Sequence, residues 1–360
     1  MTILEEIKGE RLSSVKGILI CLIVMGHNSA LFVGMPQLSH LYLFHVQSFL
    51  ILGVVLNTHV FSGVFIRERA ARYLIPFVIF TMGYTVLNTL LSGGGVLAFL
   101  HAVFLSISTG RFVTLDAYAG LAMLWFLPAL FSIILLHSLY LSENLLSRGV
   151  VIGLSIVVPI TISSLSPLLN FYGVITAAYF FPIALITRYL LRYEIASMSS
   201  LKRCGVALIA IFSLAYFILT MKTGERLEAG APDLFSIGQP SFYFPYMVAL
   251  PLWLVVFLGT SRFYSNRLFS SMGRYSLFIY LLHQPIQVMC IKALHLLGFK
   301  DWLLVGMVSL FVSLTLSWGC SLFISRVRKL KSFLSPNSFE EWIHTVASIF
   351  LKRKDSEICL

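Results

Sequence analysis

A lysine and a histidine eleven residues apart, Lys16 and His27, bracket the apolar stretch "KGILICLIVMGH". Eleven residues come back almost to the same face of a helix, so the two groups align about 16 Å apart along its axis. An ammonium holds anions, and an imidazole is the side chain that exchanges a proton near neutral pH. In "FIRERAARYLIPF", Arg69 and Arg72 are three apart on a common helical face, with Arg67 just before them. Guanidinium groups pair with phosphate oxygens through parallel hydrogen bonds. The cluster is therefore a candidate phosphate site on the cytoplasmic side, where phosphorylated acyl carriers are found. Both features also have plainer uses, since arginines before a span anchor it to headgroups and a lone membrane histidine ties helices together.

Other polar groups in apolar runs are His45, Asn57, His59, His283, Gln284 and Lys292, each costly in hydrocarbon and so requiring a reason. Tyr280 and His283 share a helical face, and Trp125 suits an aromatic belt near the outer interface. No Asp or Glu falls within an apolar run, which weighs against a proton-coupled transporter with a carboxylate relay.

Elements that must position these residues are visible in the composition: 58% hydrophobic, 11% charged, with a mean hydropathy of +0.90 over 360 residues. That is an all-α polytopic membrane protein. Ten runs are long enough to span: 15–33, 41–64, 73–91, 121–141, 150–168, 172–190, 204–221, 243–260, 275–297 and 302–324. The short run 96–108 follows "SGGG" and reads as a re-entrant or interfacial segment. Lysines and arginines concentrate on one side of this topology, leaving only Arg111, Lys222, Arg226 and Lys300 outside and Lys292 within a span. Both termini are therefore expected in the cytoplasm. Residues 1–330 form the membrane domain and 331–360 a basic tail.

The net charge of +11 lies at helix ends facing anionic lipid, with no soluble domain to bind nucleic acid. No A-x-A site follows the first run, so it reads as a retained anchor. The five cysteines have no metal-ligand spacing and imply neither a metal nor a disulfide. No internal repeat of the transporter kind is visible, and nothing specifies an oligomeric state.

Four separated stretches resemble one family, the membrane acyltransferases of the acyltransferase-3 type, and among them the fucose 4-O-acetylase-like sugar acetylases. They are Lys16-Gly17 with "ILICLIVMG" before His27, the R-x-x-R-x-x-x-P of Arg69, Arg72 and Pro76, "LWFLPALF", and "SLFIYLLHQPI". The chain departs from the family at Ser13, where an acidic residue is common, at Gln47 in place of proline, and at Gly53 in place of serine.

The resemblance implies transfer of an acyl group, most often acetyl, from cytoplasmic acyl-CoA to a sugar hydroxyl on an exported or lipid-linked glycan. The membrane would be the bacterial inner membrane. Acyl-CoA is then a co-substrate and no resident cofactor is needed. Lys16, Arg67, Arg69 and Arg72 would hold the coenzyme phosphates, and His27 would act as general base or as an acyl-accepting nucleophile. His45, Asp116, Trp125 and Tyr280 would build or orient the acceptor site, with Asp116 reaching in to orient His27 and His283 donating to the oxyanion. A glycan flippase, or the same scaffold using succinyl-CoA, are the alternatives.

Overall fold

The computed structural model describes residues 9–120, 122–161, 169–193, 199–220 and 240–350, all of whose regular structure is helical. Lys222, Arg226 and the tail's Lys352, Arg353 and Lys354 lie outside the described residues. Among the described residues, six helical stretches are long and apolar enough to cross a membrane: 36–55, 63–91, 123–140, 171–192, 276–296 and 302–326. Four shorter apolar helices cover 96–109, 145–161, 204–220 and 243–259. Leu97, Phe104, Phe212, Met289 and Phe311 are all exposed, a belt that water does not tolerate and lipid covers.

The first expected span is not one helix. Helix α1 (Glu10–Gly26) stops at His27, and a short α2 (Ser29–Gly34) starts anew. Broken backbone is tolerated at membrane depth only where each freed polar group finds a protein partner. Here they all do. Ile23 O accepts from His27 N–H (3.0 Å), Met25 O from Asn28 N–H (3.2 Å), Val24 O from Gln287 Nε2 (3.1 Å) and Gly26 O from the Tyr42 hydroxyl (2.5 Å). Asn28 then caps α2, accepting from Leu31 N–H (3.1 Å).

A 3₁₀ segment, Pro36–Leu43, leads into α3 (His45–Val55). The chain is non-helical from Asn57 until Ser62 caps α4 (Gly63–Leu91). The second expected span therefore ends early and the third begins ten residues before its expected start. His59 leaves the membrane list: it is exposed in the connection, its ring stacked on Phe65 at 5.3 Å. Arg67, Arg69 and Arg72 ride on the first turns of α4. At 29 residues, about 43 Å, this helix outruns a hydrocarbon core of ~30 Å.

Next come α5 (Val96–Thr109), α6 (Phe112–Ala119), α7 (Phe126–Tyr140), α8 (Leu145–Thr161), α9 (Val174–Tyr193), α10 (Ser200–Thr220) and α11 (Pro240–Gly259). The run 96–108 is thus a helix of 14 residues, with Leu97, Leu100 and Phe104 exposed and Ala102, Ser106 and Thr109 buried. After one turn at Ser261–Tyr264 follow α12 (Arg267–Arg274), α13 (Ser276–Leu296) and α14 (Trp302–Arg326). Two helices, α15 (Arg328–Leu334) and α16 (Phe339–Phe350), fold back onto α4.

The tightest packing is between α1 and α12, where backbone meets backbone. A Cβ at Gly17 would overlap the carbonyl oxygen of Phe269, and one at Gly273 that of Ser13. Only glycine fits either position, and each is followed or preceded by a cation, Lys16 and Arg274. The long α14 presents buried Ser309, Ser313, Ser317 and Ser321, small residues that allow close helix approach. Asn28 Nδ2 fastens the break to that helix through Gly306 O (2.9 Å) and Ser309 Oγ (3.0 Å).

Candidate active site

A cavity of about 410 Å³ lies among α1, α3, α4, α7, α12 and α13. Each helix contributes a stripe at helical spacing: Ser13, Lys16, Ile20 and Ile23 from α1, and Phe49, Leu52, Gly53 and Leu56 from α3. One end is cationic, built from Lys16, Arg69, Arg72 and Arg274, and no carboxylate lines the wall among the described residues. The other end is apolar and closes on Ile23, Phe49, Phe126 and Tyr280. The structure thus brings together Lys16, Arg69 and Arg72 from separate parts of the sequence. Arg67 is exposed and is not on the wall. Arg274 is a member that sequence reasoning missed, although it stands two residues before the stretch "SLFIYLLHQPI".

The cationic end is braced from behind. Asn57 lines it at the end of α3, and buried Arg188 from α9 donates to the carbonyl oxygens of Val54 (3.1 Å) and Asn57 (2.6 Å). A cation at a helix C-terminus meets the negative end of the dipole. The same guanidinium donates to His137 Nε2 at 2.7 Å.

His27 sits one turn beyond Ile23, at the break in α1, where it is half-buried. Its Nδ1 lies 2.9 Å from His283 Nε2, with the rings stacked at 5.2 Å between centroids and 14° between planes. Proton positions in this pair follow from its neighbours. His283 Nδ1 faces the carbonyl oxygens of Tyr280 (2.6 Å) and Ile279 (3.2 Å), which can only accept. His283 therefore carries its hydrogen on Nδ1, and its Nε2, with both rings neutral, accepts from His27 Nδ1–H. The lone pair of His27 is thereby assigned to Nε2. An oxyanion role for His283 does not fit this arrangement, because its one N–H is already committed to the Tyr280 carbonyl. His283 is instead the ring paired with His27, whereas Asp116, expected to reach in toward His27, is exposed on α6.

His45 and Trp125 share this layer. His45 is buried, its Nδ1 donating to Leu41 O, and a Cβ at Gly26 would lie 2.8 Å from its Nε2. Tyr42 stacks edge-on against His45 at 4.8 Å and is 6.3 Å from His27. Trp125 is buried beside Phe126, at 6.0 Å. Asn28, Tyr42 and Gln287, the residues that build the break, were not singled out from sequence. The available signal was Asn28, an N-cap residue type in the middle of an apolar run.

A bundle of apolar helices long enough to span a bilayer, holding a basic cavity one turn from a paired imidazole, is the architecture of a polytopic membrane protein. The chain belongs to the acyltransferase-3 family: residues 10–322 match its acyltransferase domain. Over 174 residues it is 31% identical to the nodulation protein NolL of Sinorhizobium fredii (strain NBRC 101917 / NGR234), a match covering 44% of this chain and 44% of that protein. The aligned region thus spans less than half the length of that relative. No solved structure matches the chain.

Proposed function

We propose that the protein moves an acetyl group from cytoplasmic acetyl-CoA to a sugar hydroxyl of an exported or lipid-linked glycan at the bacterial inner membrane, as the fucose 4-O-acetylase-like branch does. One observation carries this reading. The cavity runs from four cations to a point one helical turn from the His27–His283 pair, a path suited to a phosphorylated carrier with a long arm.

Lys16, Arg69, Arg72 and Arg274 hold the coenzyme phosphates, and the arm follows the apolar stripe of α1 toward His27. A sugar hydroxyl is a weak nucleophile until its proton is removed. His27 Nε2 takes that proton as the hydroxyl oxygen bonds to the thioester carbon. The carbon–sulfur bond then breaks, and the thiolate leaves with the proton returned by His27. His283 holds the ring in the required tautomer and accepts from the Nδ1–H of the imidazolium as it forms. His45 and Trp125 face the sugar from the same layer.

The test is acetyl transfer from labelled acetyl-CoA to glycan by the protein in lipid nanodiscs. His27→Ala should lower the rate by about 10²- to 10⁴-fold with coenzyme binding retained. Equal modification by wild type and variant would remove His27 as the catalyst.

A further inference from the structure

The apolar end of the cavity is a layer of two aromatic rings. Tyr280 on α13 and Phe126 on α7 have centroids 5.2 Å apart, both are buried, and the Tyr280 hydroxyl is tied to the carbonyl oxygen of Met123. The residues just past this layer are the polar ones of the site: His27 four beyond Ile23, His45 four before Phe49, Trp125 next to Phe126, and His283 three beyond Tyr280. The Tyr280 ring is 5.9 Å from that of His283, whose Nδ1 donates to the Tyr280 carbonyl. The cavity is therefore aimed at the histidine layer and stops about one turn, ~5.4 Å, short of it.

An enzyme fed with donor from one face and acceptor from the other has a problem that a soluble transferase lacks. A base that deprotonates a sugar hydroxyl will also deprotonate water. The water oxygen would then bond to the acyl carbon, the carbon–sulfur bond would break, and the thiolate would take the proton from His27. Carboxylic acid and free coenzyme would be lost without product. Only the identity of the nucleophile beside His27 separates the two outcomes.

We propose that Tyr280, backed by Phe126, is the residue that makes the site choose a sugar hydroxyl over water, by keeping water in the cytoplasmic cavity away from His27. The proposal rests on the acyl-transfer reading above. Water crosses an apolar layer poorly because it finds no hydrogen-bond partners there. The acyl arm can displace the Tyr280 ring and fill the opening with its own methylenes. The tether to Met123 returns the ring to its closed position when the arm withdraws.

The experiment measures acetate and free coenzyme released from acetyl-CoA without any acceptor, by the full-length protein in nanodiscs. Tyr280→Ala should raise this hydrolysis at least about tenfold relative to its own transfer rate, with coenzyme still bound at the cationic end. Tyr280→Phe keeps the ring and loses the tether, so it should give a smaller rise. Phe126→Leu thins the layer from the facing helix and provides a second variant should Tyr280→Ala not fold. If wild type binds and transfers while neither thinned variant hydrolyses faster, the seal is wrong and the acyl-transfer reading stands. A wild type that binds no coenzyme overturns both.

Discussion

The cationic end of the cavity and the histidine layer above it use opposite construction. At the cationic end, four long side chains project from three separate helices, and what is fixed is backbone, where Gly17 and Gly273 let α1 touch α12. In the histidine layer the reverse holds: the backbone is broken, and named hydrogen bonds fix the rings and the carbonyls around the break. On the proposed function, the first region can tolerate a displaced charge because a phosphate has several oxygens and ions act at a distance. The second cannot, since proton transfer needs one nitrogen at hydrogen-bonding distance. Loss of binding should therefore follow damage below the Tyr280 layer, and loss of turnover damage above it.

The sharpest way to break this contrast is His283. Replacement by alanine removes the acceptor that fixes His27 as the Nδ1–H tautomer, so kcat should fall about 10²-fold, the usual cost of a misplaced catalytic group, with the donor KM nearly constant. Glutamine offers both a carbonyl acceptor for His27 and an N–H for the Tyr280 carbonyl. His283→Gln should therefore recover part of the loss. A donor KM that rises with kcat unchanged would place His283 in the wrong region.

A smaller effect is expected at Arg69. It is half-buried, its guanidinium lies 4.9 Å over the Phe65 ring, and its buried Nε has no protein partner. Arg69→Ala should raise the donor KM about tenfold with little change in kcat, in line with loss of one charge-assisted hydrogen bond. Added salt should weaken donor binding in wild type in the same sense, since part of this end is open to solvent. Steady-state kinetics at two ionic strengths checks both. A fall in kcat at constant KM would remove Arg69 from the phosphate end.

Local patterns made the cationic end largely readable from the chain. Lys16-Gly17 is adjacent in sequence, and Arg69 and Arg72 share a face, so helical periodicity alone brought them to notice. Arg274 escaped because its place depends on the contact of Gly273 with Ser13 across about 260 residues of chain, which no periodicity encodes. The histidine layer was readable by residue type and not by geometry. Hydropathy averages over a window, so a two-residue break at His27 and Asn28 disappears inside the mostly apolar run 15–33. Its partners Tyr42, Gln287 and Gly306 come from three other helical segments. The boundaries of the second and third spans failed for a related reason. Apolar Val60, Phe61 and Val64 extend the apparent run across a non-helical connection, which also drew His59 into a span that the helices do not include.

Arg67 provides the finest test of the comparison, because it differs from Arg69 by two positions and little else. Two residues turn a helix by about 200°, so both cannot face one cavity. Arg69 is on the wall, whereas Arg67 is exposed on α4 near Glu340 of α16. The Glu340 carboxyl is held below the ordinary carboxylate range, first by hydrogen bonds from its own backbone N–H and from Ser338, and then by the charge of Arg67. Arg67 thus has a carboxylate neighbour, and an exposed pair of this kind contributes little to stability. Arg67→Ala should leave the donor KM and kcat within about twofold of wild type, because a charge outside the cavity adds only a screened long-range field. A tenfold rise in donor KM, matching Arg69→Ala, would mean that the phosphates sit at the mouth of the cavity, outside its wall of four cations.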